Sequence, residues 1–284
     1  MSVVIWADGR LHAPGDPVVS AVDHGLTVGD GVFETCAVER GQAFALTRHL
    51  RRLERSAAGL GLPVPDEQLL RDAVAQVLAA LPDAGRLRIT CTGGTGPLGS
   101  DRLADQRLTV LVLAGPATPS SSSRAVRVPW VRNERSAVAG LKTTSYAENV
   151  VALAAARGRG ADEALLANTV GELCEGTASN VVVEQHDELV TPPLSSGCLA
   201  GITRELLLEW GRDAGLPVRE GRPGELTYDV LDDVLDGRAH LALTGSIRTV
   251  SPVVELDEHP VAVGELTRAA VEVYRARAAD DVDP

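Results

Sequence analysis

Apolar residues recur at helical spacing in two consecutive stretches early in the chain. Leu46, Leu50, Leu53, Ala57 and Leu60 share one face of the first, with Thr47 as its expected cap and Gly59-Leu60-Gly61 as its end. Asp66 is the expected cap of the second, whose buried stripe is Leu69, Leu70, Ala73, Val74, Val77, Leu78 and Leu81. Around these helices the period falls to two. Residues 32–38 alternate, 39–42 carry turn residues and 43–46 return, which predicts a hairpin. A short strand over 3–6 closes at Asp8-Gly9, and strands over 86–92 and 107–114 flank a glycine-rich loop. Strands mixed with two helices predict an α+β unit.

Residues 115–124, reading GPATPSSSSR, have the proline and serine content of a surface linker. They divide the chain into an N-terminal α+β domain over 1–114 and a second domain over 125–284. That second part predicts strands over 125–128, 163–167, 173–175, 180–183, 189–191 and 240–244, and helices over 147–157, 203–214 and 263–277. Many short strands with few alternating helices predict a barrel-like sheet and not a doubly wound one. The acidic tail over 278–284 is expected to fray.

Composition narrows the chemistry. A net charge of -12 argues against nucleic acid or an anionic membrane as partner. No apolar run approaches the length of a membrane span, and the first eight residues lack the pattern of a signal peptide. Cys36, Cys91, Cys174 and Cys198 are isolated and read as reduced cytoplasmic thiols, and the six histidines show no metal-ligand spacing. No metal is expected. Of the 27 basic residues only Lys142 is a lysine. An ε-amine can lose its proton and attack a carbonyl, which a guanidinium does poorly. Lys142 is therefore either a nucleophilic lysine or the remnant of compositional drift.

Three further segments carry candidate chemistry. Gly94-Thr95-Gly96-Pro97-Leu98-Gly99 fits G-x-G-x-x-G, but Pro97 interrupts it and no apolar helix follows, so a rim loop is the better reading than a dinucleotide site. Glu175, in Glu175-Gly176-Thr177-Ala178-Ser179-Asn180, is a carboxylate in a strand-rich, apolar setting. Leu199-Ala200-Gly201-Ile202-Thr203-Arg204 opens an amphipathic helix, where free amides and a hydroxyl form either an anion cradle or an ordinary cap by Thr203.

These last two segments, with Leu189-Val190-Thr191-Pro192 between them, resemble the signature of the class IV aminotransferases, pyridoxal-phosphate enzymes of fold type IV. Gly29-Asp30-Gly31-Val32-Phe33-Glu34, His49-Leu50-Arg51-Arg52-Leu53-Glu54-Arg55-Ser56 and Thr244-Gly245-Ser246 extend the likeness over essentially the whole chain. The resemblance implies a two-domain fold: a smaller N-terminal α/β sandwich and a larger C-terminal barrel-like α+β domain that binds the cofactor. It implies pyridoxal 5'-phosphate held by Lys142 as a Schiff base, with Glu175 opposite the pyridine nitrogen. Arg52, the Ile202 and Thr203 amides and hydroxyl, and Ser246 would bind the phosphate. Tyr146 would reach the phenolic oxygen, and Phe33 would wall the substrate pocket. A homodimer is also implied.

Lys142 and Glu175 would serve two reactions equally. One is amino transfer between an amino acid, D-amino acid-like or of relaxed range, or a primary amine, and a 2-oxo acid. The other is 4-amino-4-deoxychorismate lyase chemistry, giving 4-aminobenzoate and pyruvate. The loop over 92–102 departs from strict D-amino acid transaminases by lacking a histidine and carrying its arginine only at Arg102. Arg102, Arg135 and Arg248 are the candidates for a substrate carboxylate clamp, Arg102 foremost. Phe33-Glu34 and Thr143-Thr144 favour the transaminase.

Overall fold

A computed structural model describes residues 3–118 and 120–284. Met1 and Ser2, assigned above to the first domain, and Pro119, assigned to the linker, lie outside the described residues. The chain forms two compact units: Met1–Thr118 with Leu141–Tyr146 and Val282–Pro284, and Pro119–Gly140 with Ala147–Asp281. It thus crosses between units more than once, and Lys142 belongs to the first.

The first unit is an antiparallel six-stranded sheet in the order Arg10–His12, Val4–Ala7, Thr109–Gly115, Arg86–Thr92, Gly31–Glu39, Gln42–Ala43. Alternation in Gly31–Glu39 and Arg86–Thr92 sorts their side chains. Val32, Cys36, Leu87, Ile89 and Cys91 face the helices, where they pack with Leu50, Leu53 and Ala57 of Leu46–Leu60 and with Leu70, Ala73, Val74, Val77 and Leu78 of Glu67–Ala80. Asp66 caps the second helix through the Leu69 N–H. Leu69 itself is exposed, one position ahead of the i, i+3, i+4 series that Leu70 begins.

Two expectations fail at the first helix. Thr47 is not its cap: the helix starts at Leu46 behind Ala45, which sits in the left-handed region at φ 53°. The tail over 278–284 is not frayed. Ala45 N–H donates to the Val282 carbonyl, and the Asp283 carboxylate accepts the Thr47 N–H at 2.8 Å and its hydroxyl at 2.6 Å. A carboxylate from the far end of the chain thus satisfies orphan donors of the first turn.

The second unit is a nine-stranded sheet that closes on itself. Its ring runs Asn180–Gln185, His240–Gly245, Thr249–Leu256, Ser123–Arg132, Glu163–Asn168, Leu173–Gly176, and returns to the first strand through the Glu175–Asn180 pair. Glu188–Thr191 and Val218–Glu220 extend it, and His259–Pro260 adds to its rim. Ser123–Arg132 and Glu163–Asn168 are parallel, joined by a crossover that contains helix Ala147–Gly158. Alternate Val181 and Val183 pack with Leu241, Leu243 and Leu231 of helix Val230–Leu235. Helices Ile202–Asp213 and Glu265–Asp280 meet through Trp210 and Tyr274, whose ring centroids are 5.1 Å apart. Thr249–Leu256 escapes prediction because Pro252 sits inside it, a residue that normally argues against a strand. No helix among the described residues is long and apolar enough to cross a membrane.

Candidate active site

Lys142 is locked by its backbone. Phe33 N–H donates to the Lys142 carbonyl at 3.0 Å and Thr144 N–H to the Gly31 carbonyl at 2.8 Å, so the segment runs as an extra edge along Gly31–Glu39. Lys142 N–H donates to Ser56 Oγ at 3.2 Å, from the helix behind. Gly31 permits this approach, since a Cβ there would stand 3.0 Å from Thr144 Oγ1. The amine is left to point along the sheet face. Its Nζ lies 3.2 Å from Tyr146 Oη and 4.3 Å from the Phe33 ring centroid, and Phe33 meets Tyr146 edge-on at 4.9 Å. Lys142, Tyr146 and Phe33, picked out separately in the sequence, therefore form one cluster.

Arg88 joins them. Its guanidinium carbon lies 3.8 Å from the Phe33 centroid, and its Nε donates to Thr90 Oγ1 at 3.2 Å. Burial pulls its pKa below the ordinary arginine value. Among the described residues neither Lys142 nor Arg88 makes an ion pair with a carboxylate. Two cations sharing one aromatic ring with no counter-ion are suited to an anionic ligand. Arg88 carries a signal that periodicity could have given: Leu87, Ile89 and Cys91 are core residues, so Arg86, Arg88 and Thr90 line the opposite face, level with Phe33.

Arg52 lies on the helix-covered face of the same strand. Its Nε and Nη2 each donate to Glu34 at 2.7 Å, and His49 Nδ1 is 2.6 Å from Glu34 Oε2. All three side chains are buried. Burial alone would raise the Glu34 carboxyl, but Arg52 and His49 together hold it well below the usual carboxylate range. Burial keeps His49 neutral, as the Nδ1–H donor to a carboxylate already paired with Arg52. Arg102 is spent elsewhere: it donates twice to Asp30, at 2.8 and 2.6 Å, and to the Leu60 and Gly61 carbonyls. The loop at Gly94–Gly99 folds back onto His24, whose Nε2 is 2.9 Å from the Pro97 carbonyl. No helix opens behind it before Thr109–Gly115.

In the second unit Glu175 is buried and held from two sides. Oε1 accepts from Arg132 Nε at 3.1 Å and Oε2 from the Leu199 N–H at 2.9 Å. Asn180, its partner across the sheet, donates Nδ2 to the Leu199 carbonyl at 2.7 Å and stands opposite Thr244 on its other side. Glu175, Asn180 and Thr244 are thus in line on three neighbouring strands. Helix Ile202–Asp213 begins behind Gly201 with no side-chain cap, so Thr203 lies in the first turn and is not the cap. A Cβ on Gly201 would collide with Asn180 Oδ1. Ser246 lies on the turn between His240–Gly245 and Thr249–Leu256, and the Thr244 hydroxyl is buried with no hydrogen-bond partner.

The sequence profile of amino-transferase class IV proteins matches residues 31–256, a span that holds every residue of both clusters. The chain belongs to this family. As a class IV aminotransferase it is 32% identical over 281 residues to a putative branched-chain-amino-acid aminotransferase of Methanocaldococcus jannaschii, covering 95% of each chain. It is 31% identical over 237 residues to a bifunctional aminodeoxychorismate lyase / D-amino acid transaminase of Mycobacterium tuberculosis, covering 75% of this chain and 79% of the other. A fold IV transaminase of Curtobacterium pusillum superposes with a TM-score of 0.82 at 29% identity, over 97% of this chain and 98% of that one. The α+β fold with a closed barrel is therefore fold type IV, as the resemblance implied. Arg88 and Arg132 of this class IV aminotransferase are the polar groups at the two clusters that sequence reading passed over.

Proposed function

We propose that the chain transfers an amino group between an amino acid, D-amino acid-like or of relaxed range, or a primary amine, and a 2-oxo acid. Pyridoxal 5'-phosphate, the cofactor of fold type IV aminotransferases, would be its cofactor. The observation that carries this reading is the Lys142 amine beside Tyr146 and Phe33, with Arg88 as a second cation lacking an ion-pair partner. The residues fit the group. An orphaned Thr244 hydroxyl and an uncapped helix start provide donors for a phosphate.

Bound to these residues, pyridoxal phosphate supplies an electron sink for the pair left when a substrate loses its Cα proton. Lys142 would hold it through Nζ, and the same amine would carry the proton from substrate Cα as a general base. Tyr146 Oη orients the amine. Glu175, fixed by Arg132 and the Leu199 N–H, keeps the ring nitrogen protonated. Arg52, oriented by Glu34, acts with the Ile202 and Thr203 donors and with Ser246 on the phosphate. Arg88 takes the substrate carboxylate, in place of the clamp first assigned to Arg102, and Phe33 walls the pocket.

Lyase chemistry is the second reading, favoured by the bifunctional relative. The two are told apart by assaying amino transfer from D-alanine to 2-oxoglutarate beside pyruvate release from aminodeoxychorismate. Transfer is expected; release without transfer overturns the ranking. A second copy of the chain is proposed to cover exposed Trp130 and Val131 on Ser123–Arg132 and Val150 and Val151 on the adjoining helix. Sedimentation as a monomer with full activity would contradict that assembly.

A further inference from the structure

Glu163 is fully buried in the wall of the barrel, and its carboxylate is used four times. Oε1 accepts the Thr177 N–H at 2.9 Å and the Thr177 hydroxyl; Oε2 accepts from Ser179 Oγ at 2.9 Å and Arg248 Nη2 at 3.0 Å. The other arm of Arg248 donates to Ser123 Oγ at 3.0 Å, and Ser123 is 2.8 Å from Ser251 Oγ. Arg248 is therefore committed to Ser123 and Glu163 and is not a substrate clamp.

The pair touches two turns. On one side Glu163 backs directly onto Gly176, where a Cβ would stand 2.9 Å from its Cδ and 2.5 Å from Ser179 Oγ. This is the turn between Glu175 and Asn180. On the other side Arg248 lies in the turn that carries Ser246, and a Cβ on Gly245 would stand 3.3 Å from the Ala178 carbonyl and 3.4 Å from Arg248 Cγ. The second turn ends in a costly conformation: Thr249, a β-branched residue, has φ 54° while paired with Gly245. Such a residue stays left-handed only where its surroundings over-determine it.

We infer that the ion pair between buried Glu163 and half-buried Arg248 is a positioning device that locks the Glu175–Asn180 turn to the Thr244–Thr249 turn and holds Thr249 in its strained state. Resting on the function proposed above, it sets the groups for the ring nitrogen and part of those for the phosphate with a single contact. Removing the Arg248 charge strands a buried carboxylate, removing the Glu163 charge frees a half-buried guanidinium, and either change loosens both turns together.

The test uses the full chain, with pyridoxal phosphate titrated in by absorbance and amide exchange measured without it. Glu163→Gln and Arg248→Gln should each raise the cofactor Kd at least tenfold and speed exchange over 176–180 and 244–249 together. Arg248→Lys should fall between them and the parent, and serves for the same comparison if Arg248→Gln does not fold. Thr249→Gly added to Arg248→Gln should restore affinity to within about threefold, because glycine keeps the left-handed turn without the pair. Affinity within twofold of the parent, loosening of one turn only, or no rescue by glycine overturns the inference. A parent chain that binds no pyridoxal phosphate sinks the proposed function instead, and the exchange data alone then decide the coupling.

Discussion

Replacing Arg52 by methionine tests the electrostatics of the first unit. The change strips the Glu34 carboxylate of two 2.7 Å hydrogen bonds and its counter-charge, leaving only the His49 Nδ1–H. Breaking a buried pair from one side costs about 3–5 kcal/mol, because the remaining charge stays desolvated. With a urea slope of about 2–3 kcal/mol/M, the midpoint should fall by roughly 1–2.5 M. The double variant Glu34→Gln/Arg52→Met should recover about half of that loss or more, since no charge is stranded. The pH dependence has a defined sign. In the parent the Glu34 pKa is depressed from 4.5, so its contribution is complete above that value and is lost as pH falls toward the folded value. In Arg52→Met burial dominates and raises the folded pKa above 4.5, so acid relieves the variant as pH falls toward 4.5, and below that value the parent loses its own contribution; the gap to the parent should therefore narrow from pH 7 to pH 4. Urea unfolding read by amide exchange in Gly31–Glu39 at pH 7 and pH 4 measures both. A cost under about 1 kcal/mol, an additive double variant or a gap that widens in acid would refute the reasoning.

Asp283→Ala should cost about 1 kcal/mol and speed exchange at Thr47, by removing the first-turn carboxylate; an unchanged Thr47 would refute the docked tail. Arg88→Leu should raise KM for carboxylate-bearing substrates about 10- to 100-fold with a smaller change in kcat, and an unchanged KM would remove Arg88 from the substrate site. All four thiols are buried, with Cys198 pushed up to about 11 and Cys91 to about 12, so none should react with an aromatic disulfide at pH 8 until the chain is unfolded. A fast-reacting thiol in the native protein would contradict this.

What was legible in the sequence is what local pattern controls. The Asp66 cap, the strand Arg86–Thr92 and the apolar faces of both long helices follow from periodicity and capping chemistry over a few residues. The cluster of Lys142, Tyr146 and Phe33 was reachable residue by residue through the family resemblance. What escaped is long-range. Asp283 meets Thr47 across 236 positions and Arg248 meets Glu163 across 85, and neither contact has a local signature. Thr47 looked like a cap because threonine usually is one, yet the helix begins a residue earlier and Thr47 donates both its N–H and its hydroxyl to a distant carboxylate. Arg88 was hidden for a different reason: a charge on the alternating polar face of a strand reads as solvated until Phe33 is placed beside it.

The most direct measurement is reductive trapping: the protein is incubated with pyridoxal phosphate, reduced with borohydride, digested and mapped by mass spectrometry. The account predicts one phosphopyridoxyl adduct, on position 142, lost in Lys142→Ala together with the visible absorbance. An unmodified Lys142, or an adduct confined to the amino terminus, would contradict it.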